Sequence, residues 1–298
     1  MKRKMTMVLA AMMAAGLMAG CSSGTSAETE AAAANEQTEA ETQESSQEES
    51  AKETSQEETE AAAEGEQTEI LVAAAASLKN AYEEELIPMF QEQNPGITVT
   101  GTYDSSGKLQ TQIEEGLEAD VFMSAATTQM DALNEEGLID SETMVDLLEN
   151  KIVLIVPSSS ELGLASFEDI AKAETIALGD PDSVPAGQYA EEALTNLGIW
   201  DEIQDKVSFG TNVTEVLNQV AAASADAGIV YATDAASMAD QVTVIAEAPE
   251  GSLAQPVIYP VAVVKTTAHA EAAKAFVDFL QTDEAMAVFE SYGFAPGQ

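Results

Sequence analysis

Residues 69–90 read EILVAAAASLKNAYEEELIPMF, and the stretch obeys two different rules in succession. After Glu69 the span 69–75 is an unbroken apolar run, as expected of a strand buried on both faces. Ser77 then caps an amphipathic helix that runs through Phe90. Outward from here the same alternation repeats. Asn94-Pro95-Gly96 makes a turn, and 97–103 (ITVTGTY) alternates at period two as a second strand. Asp104-Ser105-Ser106-Gly107 opens a helix carrying Leu109, Ile113 and Leu117. A third strand follows at 120–123, then a helix over 127–136 with Gly137 as its C-cap.

Further along, the spacing predicts strands over 151–157, 175–178, 227–230, 242–246 and 257–264. Helices are predicted from the Gly179–Gly187 segment to Leu197, over 212–222, and over 270–280 and 283–292. Strands separated by helical patterns give an α/β fold built on largely parallel sheets. Ligands of such sheets sit at the carboxyl ends of strands, where helices begin.

Composition limits the chemistry. The 298 residues carry 53 acidic and 11 basic side chains, for a net charge of -42, with one His and one Cys. Nucleic acid is excluded as a partner, because neutralising phosphates takes clustered Lys and Arg, and Arg3 is the only Arg. One Cys makes no internal disulfide, and one Cys with one His makes no zinc site.

The N-terminal region reads as an address and a spacer. Lys2, Arg3 and Lys4 precede an apolar stretch over 5–20, too short for a comfortable membrane span and suited to a secretory signal. It ends in Leu17-Met18-Ala19-Gly20-Cys21, which looks like a bacterial lipobox with Cys21 as the lipidated residue. Acyl chains there would hold the protein to the outer face of the cell membrane. Residues 22–68 hold fourteen Glu against Lys52 and no aromatic residue, a composition that cannot bury enough apolar surface to fold. The expected organisation is a signal peptide over 1–20, a lipidated, disordered acidic tether over 21–68, and a folded body beyond.

Within the body, the informative residues lie in strand-to-helix loops: Ala76-Ser77, Ser105-Ser106-Gly107, Val184-Pro185-Ala186-Gly187, Asn212-Val213 and Val230-Tyr231-Ala232. A helix N-terminus offers unpaired N–H groups and about half a positive charge, which suits an anion. Pro185 fits a first helical turn, and Asn212 with Glu215 resembles a capping box. Each residue also has a plain structural reading, as a cap or a packed phenol. Other chemistry fits poorly. Gly101 to Lys108 has the wrong spacing for a phosphate loop, with Leu109 where magnesium would need a hydroxyl. His269 is a surface residue in a polar stretch, so Ser105 and Ser106 lack a base. Asp180 and Asp182 flank Pro181 in a turn, and Trp200 is a packing anchor.

Taken together, Ala73–Leu78, Ser105-Ser106-Gly107-Lys108-Leu109, Ala119–Ala125, Gly179-Asp-Pro-Asp-Ser-Val-Pro-Ala-Gly187-Gln-Tyr-Ala190, Gly228-Ile-Val-Tyr231 and Tyr259-Pro-Val-Ala-Val263 resemble the substrate-binding proteins of bacterial molybdate ABC transporters. The resemblance spans about 69–294. It implies a two-lobed periplasmic-binding-protein fold of type II, each lobe a mainly parallel sheet flanked by helices. Lobe 1 would comprise 69–150 with 252–298, and lobe 2 would comprise 151–251. It also implies no enzyme activity, no cofactor and no metal directly ligated by the protein.

The implied ligand is molybdate or tungstate, held by the hydroxyl and amide of Ser77, by Ser106, by the amides of Ala186 and Val213, and by the hydroxyl of Tyr231. A role for Ser105 stays open. The implied partners are the membrane permease and, through Cys21, the membrane, with the receptor itself a monomer. Neutral donors suit a proton-free dianion. Protonated phosphate would meet donors with its own donor, and sulfate would have to be excluded by size. A receptor for sulfate or another tetrahedral oxyanion is the alternative.

Overall fold

A computed structural model describes residues 67–297. Cys21, the lipobox and nearly all of the tether lie outside the described residues. Among the described residues, eleven strands form two sheets. The first contains β1 (Thr68–Ala75), β2 (Ile97–Asp104), β3 (Val121–Met123), β4 (Val145–Asn150), β10 (Val257–Val263) and β11 (Ala295–Pro296), ordered β11-β4-β10-β3-β1-β2. The second contains β5 (Ile152–Pro157), β6 (Ile176–Gly179), β7 (Val207–Gly210), β8 (Ala227–Tyr231) and β9 (Val242–Glu247), ordered β7-β6-β8-β5-β9. The chain passes from the first sheet to the second at Lys151 and returns between Glu247 and Val257.

The sheets are mixed. β1 pairs in parallel with β2 and β3, and β6 in parallel with β7 and β8. β10 and β5 run antiparallel to their neighbours. These two strands follow the crossings between sheets rather than a βα crossover, so nothing forces them parallel. Both are buried along their whole length, which explains their continuous apolar sequence. Pro260 lies inside β10, where it cannot donate to the ladder, and the pairing with β4 shifts register between Tyr259 and Pro260.

Register brings distant loops together. Ala75 at the end of β1 pairs with Asp104 at the end of β2, and Ala74 with Met123 of β3. The loops carrying Ser77, Ser105-Ser106 and Ala125 therefore leave one edge of the first sheet side by side. In the second sheet Gly179 pairs with Gly210, and Ile152 with Tyr231. That edge carries the starts of the helices Pro185–Asn196 and Val213–Ala221, together with Tyr231.

Three strands are absent from the sequence reading: β4 (VDLLEN), β7 (VSFG) and β11. Asp146 and Glu149 break the apolar pattern of β4, which is fixed by pairing with β10 and β11. Ser77 does not cap a helix. It lies inside the 3₁₀ turn Ala76–Leu78, whose N-cap is Ala75, and its hydroxyl is used elsewhere.

Candidate functional site

The edges of the two sheets meet at one small cavity. Ala75, Ala76, Ser77, Asp104, Ser105, Ser106, Ala125, Val184, Pro185, Ala186, Val213 and Tyr231 line it, leaving about 10 Å³ for the centre of a water molecule. That is room for roughly one water, far below the roughly 300–1,000 Å³ of pockets for drug-sized ligands, so even a small polyatomic ion enters only as the two edges part. All five sequence-derived site residues, and Ser105, are on its wall. No Lys, Arg or His is.

Each wall residue is placed by local structure. Ser106 begins the helix Ser106–Glu114 and is fully buried. Its Oγ accepts the Ala125 N–H at 3.0 Å, which leaves the hydroxyl proton free for a guest. Ser105 occupies the N-cap, yet its side chain makes no cap hydrogen bond. Its Oγ is buried without a partner. A buried hydroxyl without a partner is costly, and this one sits beside a cavity.

Pro185 and Ala186 are the first residues of the helix Pro185–Asn196, so the Ala186 N–H has no acceptor inside its own helix. Val213 begins the helix Val213–Ala221 in the same way. Asn212 caps that helix by accepting the Glu215 N–H at 3.0 Å, and the Glu215 carboxylate accepts the Thr211 N–H at 2.7 Å. The reciprocal bond thus falls one residue before the N-cap, and it holds the Glu215 carboxyl below its usual range. Three helix N-termini, those of Ser106, Ala186 and Val213, converge on the cavity and turn their partial positive charge toward it.

Tyr231 is buried, and burial raises its phenol well above the ordinary value, so it stays neutral. Its hydroxyl donates to the Ala125 carbonyl at 3.2 Å. To serve a guest, that proton must turn from the carbonyl. The Ser77 and Tyr259 hydroxyls lie 3.0 Å apart.

Sequence reasoning missed Asp104, the one carboxylate on the cavity wall. Its Oδ1 accepts the Ser105 N–H at 2.8 Å, Lys108 Nζ at 3.2 Å and Asn212 Nδ2 at 3.3 Å. The i, i+4 spacing of Asp104 and Lys108 was the available signal. Lys108 is thereby a counter-ion for Asp104. Lys79 lines an open groove that adjoins the cavity at Ala76, with Tyr103, Asn212 and Glu215.

Residues set aside on sequence grounds have structural roles. Asp180 Oδ1 accepts the Asp182 N–H within the turn at 3.1 Å. His269 Nδ1 lies 3.2 Å from Asp120 Oδ1, and Trp200 packs against the core.

Asp234, by contrast, gave no signal in the sequence. It is buried, one carboxyl oxygen has no hydrogen-bond partner, and burial pushes its pKa up to about 7 despite backbone N–H bonds that act the other way. Between the ordinary carboxylate pKa and about 7 the folded protein holds a proton that the unfolded chain has lost. Stability therefore declines as pH rises through that window and levels off above it. Asp234→Asn should remove this slope. Above pH 7 the variant should be more stable by on the order of 2 kcal/mol, as urea titrations across pH would measure.

The cavity lies on contacts between elements of the two sheets. The Gly107 N–H donates to the Ser183 carbonyl at 3.0 Å, and Gln129 Nε2 to Gln188 Oε1 at 3.1 Å. Asn212 to Asp104, Tyr231 to Ala125 and Asn150 to Thr233 cross as well.

Residues 70–295 match the family described as bacterial extracellular solute-binding proteins. YvgL of Bacillus subtilis, provisionally named an ABC transporter substrate-binding lipoprotein, is 42% identical over 225 residues, spanning 76% of this chain and 85% of its own. The molybdate-binding protein ModA of Haemophilus influenzae is 40% identical over 234 residues, 76% of this chain and 89% of its own. The solved structure of the Azotobacter vinelandii periplasmic molybdate-binding protein superposes with a TM-score of 0.67 at 22% identity, over 77% of this chain and all of that one. At that identity the superposition speaks for the fold alone.

Proposed function

The chain belongs to the bacterial extracellular solute-binding proteins, and from that premise we propose that its cavity captures molybdate, or tungstate, for an ABC importer. The family binds solutes without transforming them; the chain is not an enzyme, and no cofactor is indicated.

One observation carries the ligand assignment. Ser77, Ser105 and Ser106 share a single small cavity with the N-terminal amides of Ala186 and Val213, and no ammonium, guanidinium or imidazole joins them. Hydrogen bonds from neutral donors to an ion are charge-assisted and roughly twice as strong as neutral ones. An unprotonated dianion accepts all of them. Phosphate near neutral pH carries a proton that needs an acceptor, whereas the serine hydroxyls and helix-start amides of this wall are placed to donate, and its one carboxylate, Asp104, is engaged through Oδ1 with three donors. Sulfate escapes that filter and is excluded by size.

In this reading residues 69–150 with 252–298 form one lobe and 151–251 the other, and the guest holds them closed by touching both. The permease then receives the closed form. Cys21 carries the lipid, the acidic tether spaces a monomeric body from the outer face of the membrane, and affinity arises at short range against a strongly negative chain.

Isothermal titration with molybdate, tungstate, sulfate and phosphate tests the assignment. Molybdate and tungstate should bind below micromolar concentrations, sulfate at least about a hundredfold more weakly, a gap of about 2.7 kcal/mol, and phosphate not at all. Tight sulfate binding that competes with molybdate would move the assignment to a sulfate receptor.

A further inference from the structure

We propose that Asn150, which lies outside the cavity wall, fixes the direction in which Ser77 donates and so makes its hydroxyl a donor to the bound anion. The inference rests on the oxyanion-binding reading above.

Asn150 is the last residue of β4, buried beside the passage between the sheets. Its Oδ1 accepts the Lys151 N–H at 2.8 Å, so its other arm must be the amide nitrogen. That nitrogen donates to Thr233 Oγ1 at 2.9 Å and to Tyr259 Oη at 3.2 Å. Tyr259 Oη lies 3.0 Å from Ser77 Oγ, a contact in which either hydroxyl could donate.

Asn150 removes that ambiguity. A phenol that accepts from Asn150 has one proton left to give, and Ser77 is the acceptor beside it. Ser77 then accepts, and its own proton is left for the cavity it lines. In the reverse arrangement Tyr259 would accept from both neighbours and leave its own buried proton to the Tyr231 phenol that faces it, at the cost of a poorer hydrogen bond. Burial raises the Tyr259 phenol well above its ordinary value, so it keeps the proton the relay requires. Chains of hydrogen bonds polarise one another, which also strengthens the final donor. Because Thr233 follows β8 of the second sheet, the same amide ties the passage between sheets to the orientation of Ser77.

The test is a double-mutant cycle, titrating molybdate, tungstate and sulfate into the full chain and reading the tightest ligand. Asn150→Asp keeps the shape and still accepts from Lys151, but its second oxygen must accept from Tyr259, which turns the relay round. Affinity should fall about tenfold in the parent and less than about twofold when Ser77 is already alanine, a coupling that neighbours in one network show. The loss should also shrink between about pH 8 and about pH 5.5, measured against the parent at each pH. A buried carboxyl there regains a proton and can donate again. Asn150→Ala should show no such recovery.

If Asn150→Asp does not fold, Tyr259→Phe serves in its place, with a loss of about threefold that vanishes in the Ser77→Ala background. Equal losses in both backgrounds would overturn the relay while leaving the oxyanion reading intact. A parent that binds none of the three anions would overturn both.

Discussion

Replacing Ser77 and Ser106 together by alanine should weaken molybdate binding by about two to four orders of magnitude. Both hydroxyls line the cavity, and in the relay described above each has a proton left after its internal hydrogen bond is made. A hydrogen bond to a charged group is worth about 1.5–3 kcal/mol, so losing two gives roughly 3–6 kcal/mol. The fold should survive, because both side chains are small and neither caps a helix. Calorimetry gives the affinity and urea unfolding the stability. An unchanged dissociation constant in a folded double variant would remove these serines from the site.

Gly107→Ala should cost about a hundredfold in affinity while leaving the unliganded fold as stable as before, or slightly more so. Gly107 is the second residue of the helix Ser106–Glu114, where alanine is the better helix former by up to about 1 kcal/mol. The obstacle is across the cleft. A Cβ at this position would lie 2.5 Å from the Ser183 carbonyl oxygen and 2.8 Å from its Cα. Backbone cannot yield as a flexible side chain would, so the two edges must separate. Ser106 and Ala186, which flank this contact on opposite sides, would then no longer reach one ion together. A guest stabilises the closed arrangement only by the difference in its affinity for the two states, and the substitution removes much of that difference. Small-angle scattering should show ligand-induced compaction in the parent and little in the variant. Unaltered affinity and compaction would mean that this close approach plays no part in closure.

Much of this was legible in the sequence. The long apolar strands β1, β5 and β10 and the amphipathic helices announce themselves by periodicity, because burial on one face or two leaves a pattern. β4 and β7 do not, since short strands containing Asp, Glu or Ser owe their state to their neighbours. The site was legible at the level of residue type. Hydroxyls and helix starts cluster at strand ends, and family resemblance gave them an order. Their hydrogen bonds were not legible. Tyr259 is 182 residues from Ser77 and 109 from Asn150, a proximity set by the fold and by no local spacing. The missing Ser105 cap and the buried carboxyl of Asp234 were hidden for the same reason, because both depend on what surrounds the side chain.

A doubly negative ion in this cavity should be held by oriented neutral dipoles alone. A crystal structure of the molybdate-filled protein tests it most directly. Every oxygen of the ion should lie within hydrogen-bonding distance of backbone N–H groups or hydroxyls, among them Ser77, Ser106, Ala186 and Val213, with Lys108 still on Asp104. An ammonium group from Lys79 or Lys108 in contact with the ion, or an ion bound away from this cavity, would contradict it.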